Sequence, residues 1–89
     1  MKDEKEMEEL IKQAIKQMDF LLADSSVPKN VRTAVSEAKT HLNETGDYIV
    51  RVSEAIYSID SISNDINLPI QARTIVWNIL STLESIKTD

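Results

Sequence analysis

Cysteine is absent from this 89-residue chain, and glycine occurs once, proline twice, tryptophan once, tyrosine twice and phenylalanine once. Without cysteine there is no disulfide framework, no thiolate nucleophile and no cysteine-ligated metal. A single glycine, Gly46, excludes a glycine-rich phosphate loop. So few turn residues favour long helices over many short strands. No apolar run approaches the length of a membrane span. Met1-Lys2-Asp3-Glu4-Lys5-Glu6 is followed by no apolar segment of the kind a secretory signal carries. Basic residues are also short: 10 Lys and Arg against 15 Asp and Glu leave a net charge of −5. That field opposes phosphate backbones and anionic membranes. The composition therefore points to the cytoplasm, to no membrane partner, and away from nucleic acid.

What the chain does have is a motif written twice. Asp24, Pro28, Arg32, Thr33, Val35 and Leu42 recur as Asp65, Pro69, Arg73, Thr74, Val76 and Leu83, always 41 residues later. Upstream, Ala14/Ala55, Ile15/Ile56 and Asp19/Asp60 keep the same offset. A period near 40 marks a paired-helix repeat.

Helical periodicity fills in the rest. Met7, Leu10, Ile11, Ala14, Ile15, Met18, Leu21 and Leu22 fall at spacings of three and four, so a helix capped by Asp3 should run to about Ala23. Val27 precedes a proline and is pushed out of the helical region, and Pro28 sits where a second helix begins. That helix has a narrow face of Val31, Ala34, Val35, Ala38 and Leu42. Gly46 suits the helix C-cap and Asp47 the next N-cap. A third helix carries Ile49, Val52, Ala55, Ile56, Ile59 and Ile62. The fourth, opened by Pro69, carries Ala72, Ile75, Val76, Ile79, Leu80, Leu83 and Ile86 and should be the most buried, with Trp77 at the core or its edge.

Short connections make sequence-adjacent helices antiparallel. The expected fold is therefore all-α: one domain over residues 1–89, a four-helix up-and-down bundle of two hairpins at about 4–45 and 47–88. The alternative is two stacked HEAT-like repeats, which Asp24…Pro28-x-x-Val31-Arg32-x-Ala34…Leu42 resembles. A chain of two repeats is short for such an array, and a closed bundle buries more per residue.

No catalytic, cofactor-binding or metal-binding residue is assigned. Arg32 and Arg73 fall in opening helical turns, where the macrodipole disfavours a cation, so each should have a carboxylate partner. Asp24 and Asp65 are nearest, then Asp19 and Asp60; each Asp should also cap the following helix. The other reading turns both arginines outward to an anionic partner. Glu37, His41 and Glu44 share a helical face and the ligand types of a divalent cation, but a site normally adds a ligand from a second element, so no metal is expected. Ser53, Ser58, Ser61, Ser63, Ser81 and Ser85 sit in no strand–turn–helix elbow, and the carboxylate pairs lack a cleft to perturb them. Lys29, Arg32 and Lys39 make the second helix locally basic without stacking aromatics. Trp77, Tyr48 and Tyr57 form the remaining candidate surface.

Three blocks carry a wider likeness: residues 24–32 from Asp24 to Arg32, residues 55–60 from Ala55 to Asp60, and residues 63–79 from Ser63 to Ile79. They resemble uncharacterised protein family 0147, small archaeal proteins. The resemblance implies a compact all-helical fold and an archaeal, cytoplasmic origin. It implies no activity and transfers no catalytic residue. The resulting expectation is a non-enzymatic interaction or scaffold protein, without cofactor, that binds a protein partner or a second copy through the Ala34/Ala38 face or the surface around Trp77. The alternatives are an RNA- or ribosome-associated accessory protein using Lys29, Arg32, Lys39 and Arg73, and, least favoured, a metal-dependent enzyme centred on Glu37, His41 and Glu44.

Overall fold

The computed structural model describes residues 2–87 and contains four helices: α1 (Glu4–Leu22), α2 (Lys29–Asn43), α3 (Tyr48–Asp60) and α4 (Ile70–Lys87). The ends of the domain and second-hairpin ranges, at residues 1, 88 and 89, lie outside the described residues. Among the described residues there is no strand, and no helix is long and apolar enough to cross a membrane.

Each helix starts for a local reason. Asp3 Oδ1 accepts the Glu6 N–H at 2.8 Å and caps α1. Asp47 Oδ1 accepts Ile49 N–H at 2.8 Å and Val50 N–H at 3.3 Å and caps α3. Pro28 occupies the N-cap position of α2 with no side-chain bond, one residue earlier than a first-turn proline. Gly46 lies two residues beyond Glu44, the C-cap of α2, and its φ of +116° is the one positive φ among the described residues. The glycine therefore turns the connection rather than capping the helix.

The two proline corners are built alike. Asp24 Oδ1 accepts Ser26 N–H at 2.9 Å, and Asp65 Oδ1 accepts Asn67 N–H at 2.8 Å. Val27 N–H bonds Asp24 O and Leu68 N–H bonds Asp65 O, both at 3.2 Å. Arg32 N–H reaches Pro28 O at 3.0 Å and Arg73 N–H reaches Pro69 O at 2.9 Å. Val27 and Leu68 plug the core beneath these turns. The two aspartates thus fold their own loops. They do not cap the helices that follow, which corrects the expected cap role. Asn30 Nδ2 also donates to Asp65 Oδ2 at 2.8 Å, so the two corners touch at one end of the bundle.

Packing closes the ring. α1 lies against α2 and α4, and α3 against α2 and α4, while the diagonal pairs scarcely touch. The most extensive contacts are α2–α3 and α1–α4, between hairpins rather than within them. Stacked repeats would pair corresponding helices, α1 with α3 and α2 with α4. The observed pairing is that of an up-and-down four-helix bundle, with extents of 37 × 20 × 19 Å.

The core comprises Ile11, Ala14, Met18 and Leu21 of α1, and Val31, Ala34, Val35, Ala38 and Leu42 of α2. α3 adds Val52, Ala55, Ile56 and Ile59; α4 adds Ala72, Val76, Ile79, Leu80, Leu83 and Ile86 and buries more positions than any other helix. A fully buried Leu or Ile contributes about 1.5–3 kcal/mol relative to exposure. Ile49 is exposed, not core as expected. It stands one residue inside α3, bonded to the Asp47 cap, before the helix reaches its partners.

Candidate functional site

Trp77 is 54% exposed, which corrects its expected place at the core or its edge. On α4 it lies one residue beyond the buried Val76, off the stripe that faces inward. Near it lies Ile66, 89% exposed in the α3–α4 corner, while Ile70, 82% exposed in the first turn of α4, stands two turns before Trp77 on the same helix. Ser63, Asn64, Ile66, Arg73 and Trp77 line a hollow of about 290 Å³. Ile70, Arg73 and Trp77 follow helical spacing along one side of α4.

The other corner carries a counterpart. Leu22, Lys29, Arg32, Thr33, Ser36 and Glu37 line a hollow of about 460 Å³. Leu22, Arg32 and Ser36 correspond to Ser63, Arg73 and Trp77 at the 41-residue offset. One backbone design thus carries two different linings. The first sets Leu22 among two cations, Glu37 and two hydroxyls; the second sets Ile66 and Trp77 beside one cation, Ser63 and Asn64.

The two arginines do not make the carboxylate pairs expected of them. Arg73 Nη2 approaches the backbone carbonyl of Asp65 at 3.4 Å. Arg32 makes no side-chain hydrogen bond or ion pair among the described residues, and its Nε is buried without an acceptor. Three of the four expected carboxylate partners, Asp24, Asp65 and Asp19, have other partners. Asp24 Oδ1 accepts both the amide and, at 2.7 Å, the hydroxyl of Ser26. Those bonds hold the Asp24 carboxyl below its ordinary range. Asp65 is lowered likewise, by Asn30 first, then the Asn67 amide, with Arg73 a lesser cause. Asp19 pairs with Lys39 at 2.8 Å, an exposed bridge between α1 and α2. Such pairs contribute about 0–1 kcal/mol. Lys39 is committed to Asp19, and Glu37 stands beside Lys29 and Arg32, so acids interrupt the basic cluster of α2.

Ala34 and Ala38 are buried in the bundle, so the narrow α2 face packs inward and is not a docking face. The aromatic surface also comes apart. Tyr48 is half-buried, donates to Glu8 Oε1 at 2.7 Å, and lies under the Arg51 guanidinium, 4.9 Å from its ring centre. The Glu8 hydrogen bond, followed by burial, raises its phenol above the usual range. Tyr57 is exposed near the end of α3. Several hydroxyls are spent on their own helices: Ser61 donates to Ser58 O at 2.6 Å, and Ser85 to Thr82 O at 2.6 Å.

His41 keeps Glu44, one of the two neighbours that helical spacing suggested, and has Glu54 in place of Glu37. Its Nδ1 lies 3.0 Å from Glu44 Oε1 and 2.8 Å from Glu54 Oε2. Glu37 lines the first-corner hollow instead. Glu54 stands on α3, so the group draws from two elements. Sequence spacing within one helix could not reveal it, because the contact needs the α2–α3 pairing first.

Residues 1–86 match the family model described as "Uncharacterised protein family (UPF0147)". Among curated relatives, a UPF0147 protein of Methanosarcina acetivorans is 42% identical over 91% of this chain and 84% of its own length. A UPF0147 protein of Methanocaldococcus jannaschii is 41% identical over 94% and 91%. Two crystal structures share the fold. One, described as an unknown function protein, MMP1188, superposes with a TM-score of 0.81 at 41% identity, covering 89% of this chain and 91% of that one. The other, from uncharacterized family UPF0147 of Thermoplasma acidophilum, gives 0.82 at 30% identity, covering 89% and 94%.

Proposed function

The chain belongs to the uncharacterised protein family UPF0147, whose description assigns no activity, and from that premise we propose that it is a non-catalytic protein-binding module of the cytoplasm. Its docking surface is the α3–α4 corner around Trp77. The observation that carries this reading is the joint exposure of Ile66 and Trp77 in the Arg73 hollow, with exposed Ile70 one helical turn before Arg73 on the same side of α4. Scattered exposed hydrophobics are ordinary, but a tryptophan grouped with an exposed isoleucine beside an arginine has the composition of a binding hot spot. The partner it suits is a protein segment that offers apolar side chains to Ile66, Ile70 and Trp77 and a carboxylate to Arg73. The matching hollow at the first corner has Ser36 where the second has Trp77, so the aromatic anchor belongs to one corner alone.

Trp77 is the sole tryptophan, so its fluorescence reports this surface directly. Partners are captured from native lysate on the full chain and on Trp77→Ala, with Phe20→Ala as the control, since Phe20 is also exposed but lines another hollow. A purified partner should shift Trp77 emission toward that of a buried indole, and its capture should be lost with Trp77→Ala and kept with Phe20→Ala. Equal capture by all three chains, or emission unmoved by the purified partner, refutes the reading. Light scattering across concentration separates a second copy from a different protein as the occupant.

A further inference from the structure

We infer that His41, Glu44 and Glu54 form a binding site for a zinc-like divalent cation that clips the end of α2 to α3. The three side chains present one ligand atom each, all within 4.8 Å of one another. His41 sits in the last turn of α2, Glu44 at its C-cap, and Glu54 on α3. The site therefore spans the Gly46 connection and takes its ligands from two elements.

Hydrogen bonding alone accounts poorly for this arrangement. Nδ1 of a neutral imidazole carries one proton or one lone pair, yet two carboxylates lie within 3.0 Å of it. If the proton is on Nδ1, the two oxygens must share it. If it is on Nε2, the lone pair faces both negative charges. Nor do other cations settle the repulsion. Among the described residues neither Glu44 nor Glu54 pairs with a lysine or arginine. Arg51, on the same helix as Glu54, instead donates from Nη2 to Leu42 O and lies over the Tyr48 ring. The cluster thus holds two carboxylates against one imidazole at the C-terminal end of α2, where the helix dipole also favours positive charge.

A divalent ion removes this conflict. With Nε2 protonated, the Nδ1 lone pair and one oxygen from each glutamate become three ligands, and water completes four. Zinc bonds nitrogen at about 2.0–2.1 Å and carboxylate oxygen at about 2.0–2.2 Å, which spaces tetrahedral ligands by about 3.4 Å. The two histidine–carboxylate separations sit just below that spacing, and side chains exposed by 32%, 52% and 49% have room to adjust. The mixed imidazole and carboxylate set suits zinc and its first-row neighbours. Magnesium and calcium prefer oxygen alone and more of it.

The test uses the untagged full chain, freed of metal by a chelator and titrated calorimetrically with zinc chloride and, separately, magnesium chloride. One equivalent of zinc should saturate the chain at concentrations where magnesium gives no isotherm. His41→Ala and Glu54→Gln should each weaken zinc at least tenfold, while Glu37→Gln, outside the cluster, leaves it unchanged. Zinc should also raise the thermal midpoint of the parent chain but not of Glu54→Gln, a near-isosteric change that keeps the bundle folded. No saturable zinc binding by the parent, or undiminished affinity in His41→Ala or Glu54→Gln, overturns the inference.

Discussion

Replacing Gly46 with alanine sets two backbone effects of opposite sign against each other, and the structure decides between them. Alanine restricts the unfolded chain and would stabilise a compatible site by about 0.4–1 kcal/mol. The native φ of +116° is not compatible. A residue with a Cβ held in such a sparsely populated region is strained by about 1–3 kcal/mol. Contact does not enter, because a Cβ built at Gly46 meets nothing within 4 Å. The net expectation is a loss of about 0.5–2 kcal/mol from conformation alone. With a urea slope of about 1 kcal/mol per molar for so small a domain, the midpoint should fall by about 0.5–2 M with the slope unchanged. Helical circular dichroism against urea measures it. Asparagine should recover little, since the left-handed basin it tolerates lies near φ of about +57°, well short of Gly46. A midpoint for Gly46→Ala equal to or above that of the parent would refute the assigned turn.

Two further perturbations probe the corners. Arg32→Met keeps an apolar stem and removes the buried Nε donor that has no acceptor, so urea stability should hold or rise by up to about 1 kcal/mol; a loss beyond about 1 kcal/mol would reveal a partner for Arg32. The carboxyls of Asp24 and Asp65 are lowered on folding, so their contribution is whole above the unfolded value and fades as pH falls through the lower folded values. Stability followed from pH 6 to pH 2 should fall less steeply in Asp24→Asn and Asp65→Asn than in the parent, and superimposable profiles would contradict the loop bonds.

Much of the fold is legible in the residue pattern because helix spacing and proline punctuation are local signals. The buried face of α2 is the face its periodicity predicts, from Val31 to Leu42. Asp3 and Asp47 cap where short-range hydrogen bonding says they should. The failures are tertiary. Ile49 continues the apolar rhythm of α3 yet stands outside the packed region. Trp77 looks like a core seal by size, but its azimuth on α4 is set by Val76 and Leu80 taking the inside. Arg32 and Arg73 lose their expected partners because the aspartates close their own turns first. Glu54 joins His41 only after α2 and α3 are side by side, which no spacing along one helix encodes.

The seam between α1 and α4 brings Lys2, Lys5 and Glu6 beside Ser85, so the start of the first rod lies next to the finish of the last. Each rod has two lateral neighbours and none is a terminal edge. Threading order should then matter little to the shape: a short bridge from Lys87 to Asp3, which keeps the cap of α1, with the backbone cut at Gly46, is expected to give a circularly permuted polypeptide that reassembles the same barrel of rods.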